Sequence, residues 1–84
     1  MPKKPTAADL AADPDNVELL INLASFSVHL GNKFGAREYL IEAEKVGIER
    51  SDLMFATADT YERLDERERA LDWVHRALET GFPI

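Results

Sequence analysis

The sequence predicts an all-α chain, a short solenoid built of antiparallel helix–turn–helix repeats. Three observations predict it. Val17–Arg50 aligns with Ser51–Ile84 without a gap, setting Leu20 on Met54, Ala24 on Ala58, Leu30 on Leu64, Ala36 on Ala70, Leu40 on Val74, Ala43 on Ala77 and Gly47 on Gly81. An internal period of this length is the mark of one stacked supersecondary unit. Within each unit the apolar residues recur at i, i+3, i+4 and i+7, which is one face of a helix. Glycine or polar residues fall between the stripes, where two helices must be joined.

The first unit, residues 17–50, opens with Leu20, Leu23, Ala24, Ser27 and Leu30 as one stripe. Gly31-Asn32 interrupts it. Ala36, Tyr39, Leu40, Ala43 and Val46 form the second stripe, closed by Gly47. The second unit, residues 51–84, repeats the plan with Met54, Thr57, Ala58, Tyr61 and Leu64. Asp65 and Glu68 then have capping-box spacing. Ala70, Trp73, Val74 and Ala77 follow, and Gly81 and Pro83 end the helix. Ala24, Ala36 and Ala43, like Ala58, Ala70 and Ala77, are small where two helices approach closely. Tyr39, Leu40, Trp73 and Val74 fill the space alongside. A leucine at Ala36 or Ala70 is expected to overpack that contact.

Composition narrows the function classes. Eighty-four residues make one domain with a modest core, and 45% hydrophobic with 31% charged residues suits a folded chain. No apolar run reaches membrane-spanning length and the first ten residues lack a signal-peptide core, so a cytoplasmic protein is expected. The absence of cysteine excludes disulfides and thiolate sites. A net charge of −6, with Lys and Arg interspersed among the acids, argues against nucleic acid and against an anionic membrane surface.

Catalytic chemistry has no foothold in this pattern. His29 and His75 are the only histidines and have no ligand spacing around them, so no metal is expected. Asp72 and Glu79 lie within helical reach of His75, as a surface pair. Glu66 to Arg69 reads as a solvated first turn. There is no glycine-rich phosphate loop and no serine nucleophile elbow, so neither an enzyme nor a cofactor is expected.

A helix–turn–helix of 34 residues with these small and large positions resembles the tetratricopeptide repeat. Leu20-x-x-Leu23-Ala24 and Met54-x-x-Thr57-Ala58 are similar to the family's first helix, and Ala36…Leu40…Ala43 and Ala70…Val74…Ala77 to its second. "DPDN" at Asp13–Asn16 looks like the turn between repeats. The resemblance implies a right-handed superhelical segment of two repeats, 17–50 and 51–84. Residues 1–16 are then a tail and short helix left from a preceding repeat, with Thr6 and Asp9 able to cap it. The chain departs from the family's habit at Leu20 and Met54, where an aromatic is usual, and at Thr57, where leucine is common.

The family binds peptides or helices on the face lined by its first helices. Carried over, that face is Glu18, Ile21, Asn22, Ser25, Val28 and His29, with Asp52, Phe55, Ala56, Asp59, Glu62 and Arg63. Ile21 and Phe55 are the expected exposed apolar contacts, and the acids favour a basic protein or peptide partner. Ile21, Ser25 and Ala56 stand where a carboxylate clamp would need Lys or Asn, so that clamp is not expected. A second surface is the open side of the final repeat: Leu53, Thr57, Leu71, Val74, Leu78 and Phe82. Terminal repeats normally present a polar face there. The expectation is a segment of a longer repeat protein, with self-association, a homodimer included, as the alternative role.

Overall fold

The computed structural model describes residues 7–80, with side chains from residue 10 onward. Among these residues there are five α-helices and no strand: α1 (Ala7–Ala12), α2 (Val17–His29), α3 (Lys33–Val46), α4 (Ser51–Arg63) and α5 (Arg67–Glu79). The fold is all-α. α4 starts 34 residues after α2 (17 to 51) and α5 34 after α3 (33 to 67), so the sequence register carries over to the helix starts.

Local chemistry sets the helix ends. Asn16 Oδ1 accepts the Leu19 N–H at 3.0 Å, and Asn32 Oδ1 accepts the Gly35 N–H at 2.9 Å, each satisfying a donor that a helix start leaves open. Gly35 is more than a weak helix former here, because a Cβ at that position would stand 2.5 Å from Asn32 Nδ2. Gly31 turns α2 into α3 at φ +80°, and Asp65, the same register position, does so at φ +62°. Aspartate tolerates the left-handed region better than most residues. The Asp65–Glu68 capping box does not form. α5 begins at Arg67 with Glu66 as its N-cap, and no side-chain bond caps it, because Asp65 lies one residue further back in the left-handed turn. The cap expected from Thr6 or Asp9 lies outside the described side chains.

α2 packs along α3 and α4 along α5 as two hairpins. They join through α2 against α4, with smaller contacts of α3 on α4 and α1 on α2. One core runs through both, containing Leu20, Ile21, Leu40, Met54, Tyr61, Leu64 and Trp73 together with all six repeat alanines. Ile48, in the connection between the hairpins, joins it. Thr57 and Thr60 are buried too; their hydroxyls donate to the Leu53 and Ala56 carbonyls at 2.8 Å each. Thr57 was expected on the partly bare final face. With its hydroxyl satisfied by its own helix, it packs as a small core residue instead. Two expected stripe residues of the first unit stay out of the core: Leu30 is 70% and Val46 44% exposed.

Polar groups lock the joint. The Tyr61 hydroxyl, on a fully buried ring, donates to the Glu44 carboxylate of α3, and the Arg69 guanidinium lies 5.6 Å over that ring. Burial first, and then the Glu44 carboxylate, pushes the Tyr61 hydroxyl up to about 12. Arg37 of α3 meets Glu66 at 2.7 Å, and Arg50 meets Glu18 of α2 at 3.3 Å. The charged start of α5 is therefore not simply solvated: Glu66 ties it to α3.

Candidate functional site

Positions 55, 58, 59 and 62 make one face of α4, and 70, 71 and 74 one face of α5. Between them lies an open cleft of about 260 Å³, lined by Phe55, Ala58, Asp59, Glu62, Ala70, Leu71 and Val74. Ala58 and Ala70 are buried at its floor, and their small side chains leave the hollow. Phe55 and Val74 are half-buried walls, Leu71 is half-exposed, and Asp59 and Glu62 stand at the rim.

The same construction occurs once more in the chain, and there it is filled. In repeat register Phe55, Ala58, Ala70 and Val74 correspond to Ile21, Ala24, Ala36 and Leu40. Those four are at most 1% exposed, in the core that α4 shares with α2 and α3. Ile21 is therefore not the exposed contact expected of it, because α4 packs where a ligand would have to reach.

The remaining expected residues divide. Phe55, Asp59 and Glu62 of the expected groove and Leu71 and Val74 of the expected self-association face line one cleft, so two surfaces read separately from sequence converge. Asn22 and Arg63 are exposed, and Ser25 and Val28 half-buried on α2. Leu53 packs half-buried against the core, Leu78 stands exposed on α5, and Phe82 lies outside the described residues. Ala58 and Ala70 were legible as close-approach residues, not as the floor of a cleft. Their smallness carries both meanings, and what packs alongside decides between them.

The rim is nearly neutral. Asp59 pairs with Arg63 at 3.1 Å and Glu62 with Arg67 at 2.8 Å, both exposed pairs of little net strength. Outside the cleft lining, Asp52 accepts a hydrogen bond from Arg50 at 2.6 Å, and that bond with the guanidinium charge holds its carboxyl below the usual range. Asp72 pairs with Arg76 at 3.2 Å, and the Arg76 guanidinium lies 4.6 Å over the Trp73 ring. Among the described residues no three His, Asp or Glu side chains are grouped to hold a metal, and no helix is long and apolar enough to cross a membrane. The cleft is apolar, and its only ionisable lining groups are the paired carboxylates of Asp59 and Glu62.

Comparison of the chain with protein-family models, with curated proteins and with solved structures yields no match.

Proposed function

We propose that the chain is a non-catalytic, cytoplasmic protein-interaction module of tetratricopeptide type, a right-handed superhelical segment of two repeats. It seats the apolar face of a helix from a protein partner in the cleft between α4 and α5. What supports this reading is the pair of matching grooves: the one between α2 and α3 is occupied by a helix, α4, and its counterpart is open. The open groove is therefore shaped for an apolar helix stripe. Because Arg63 and Arg67 already pair with the rim carboxylates, apolar fit outweighs the preference for a basic partner.

The test is fluorescence anisotropy with two labelled amphipathic helical peptides that share one apolar stripe, one with a basic and one with an acidic flank. Saturable binding, somewhat tighter for the basic peptide and lost in Leu71→Glu, is the expected result. Failure of both peptides to bind, or binding that survives Leu71→Glu unchanged, overturns the reading.

A further inference from the structure

We infer that the helix seated in the α4–α5 cleft is α2 of a second copy of the chain, docked head to tail as α4 docks within one copy. The inference rests on the interaction-module reading in that both use the same cleft.

The internal joint is the template. Leu64 closes α4 and is 6% exposed within it; Leu30, its counterpart closing α2, is 70% exposed. Among the described residues Leu30 thus lies outside any groove of the kind that Leu64 fills, and the α4–α5 cleft stands open. The charges change in step on both sides. Inside the chain Arg37 faces Glu66, and Glu44 faces Tyr61 and Arg69. Advanced by one repeat, Arg37 and Glu44 become Leu71 and Leu78, which are 52% and 53% exposed. Moved back by one repeat, their partners Glu66, Tyr61 and Arg69 become Asn32, Ser27 and Gly35. Both of these couples are replaced by uncharged ones between copies. The two other ion pairs each become one charged residue facing a neutral one. Glu18–Arg50 becomes Asp52 facing Asn16, and Lys33–Asp65 becomes Arg67 facing Gly31, with Asp52 and Arg67 already paired to Arg50 and Glu62 of their own copy. No ionic group of the template is left facing a like charge or stripped of its partner. Such agreement favours a second copy over an unrelated helix.

The joined faces differ, so the contact is heterologous and propagates into open chains instead of closing a two-fold dimer. Two features keep it weak. Leu10 of α1, half-buried, shares the register position of Glu44 and Leu78, so docking seats the neighbour's Leu78 in its place and lifts α1 away. The net charge of −6 also opposes the approach of two copies across a joint that no ion pair spans, so added salt strengthens association.

Sedimentation equilibrium of the full chain, from micromolar to millimolar concentration at low and high salt, tests this together with Leu30→Glu and Leu71→Glu. Both substitutions fall on exposed side chains, and circular dichroism checks that each variant stays helical. The wild type is expected to grow in mass with concentration, more so in high salt, and each variant alone to stay monomeric. An equimolar mixture is expected to form a dimer and nothing larger, because each variant keeps the face the other lacks. Leu10→Glu is expected to strengthen association. A wild type that stays monomeric throughout overturns the inference, and if the basic peptide still binds, the interaction-module reading stands without it. Association that Leu30→Glu leaves intact, or a mixture that stays monomeric, overturns the head-to-tail geometry.

Discussion

In the first hairpin Ile21, Ala24, Ala36 and Leu40 are closed beneath α4; one repeat later Phe55, Ala58, Ala70 and Val74 surround an open cleft. The residues are alike in size and spacing, and the helices that carry them begin in the same register. Their environments differ because, among the described residues, one set has a further helix packed over it and the other does not. Similar side chains therefore serve as core in one hairpin and line an open cleft in the next. The small alanines make both possible: under α4 they permit close packing, and without a cover they leave a hollow.

The comparison breaks hardest at its deepest member. Leu40→Ala leaves a cavity under α4 and should cost about 2–5 kcal/mol, whereas Val74→Ala trims a half-buried wall and should cost about 1 kcal/mol or less. Urea unfolding of the two variants reads the difference, and equal losses would mean the cleft is closed in solution. Next in size is overpacking. Ala36→Leu should destabilise by about 1–3 kcal/mol, and Ala70→Leu by clearly less, since the cleft offers its side chain room. The same unfolding curves separate the two. The helix starts give a smaller contrast. Asn32→Ala removes the α3 cap, at about 1 kcal/mol, while Glu66→Ala removes no side-chain cap but its pairs with Arg37 and Arg69, at roughly 0–1 kcal/mol. Thermal melts of both variants show whether the two hairpins start as differently as their geometry says.

A further effect is confined to alkaline solution. The folded state holds the Tyr61 proton to about 12, above the ordinary tyrosine value of 10.0. Between those values the unfolded chain releases a proton that the folded chain keeps, so stability falls as pH rises. Tyr61→Phe should remove this share of the decline, measured by unfolding at pH 9 to 12.

Helix identity and order were legible in the sequence because a 3.6-residue stripe and a fixed repeat report directly on backbone and face. So were the buried alanines. What could not be read is which neighbour a face meets. Leu30 and Leu64 are the same residue in the same register, yet the first is 70% exposed and the second is buried in the core. Ile21 looked like a ligand contact for the same reason: its face was legible, and α4 lying over it was not. Thr57 and Thr60 were hidden by their chemistry, since a hydroxyl bonded within its own helix no longer resists burial. The missing α5 cap reflects the turn, where Asp65 takes the left-handed position that Gly31 holds in the first unit. Of the candidate site, Phe55, Leu71 and Val74 were legible as apolar surface. Their meeting in one cleft depended on how α4 and α5 pack.

Among the described residues α2 and α4 each pack against several other helices, whereas α5 packs along α4 alone, tied to α3 only by the ion pairs of Glu66 with Arg37 and Arg69 with Glu44. That asymmetry imposes an order on how the molecule opens. Amides of α5 should exchange with deuterium through partial unzipping of the last helix, while those along α2 and α4 wait for the whole chain to come apart. A partner seated between α4 and α5 would convert the fastest-exchanging long helix into one of the slowest.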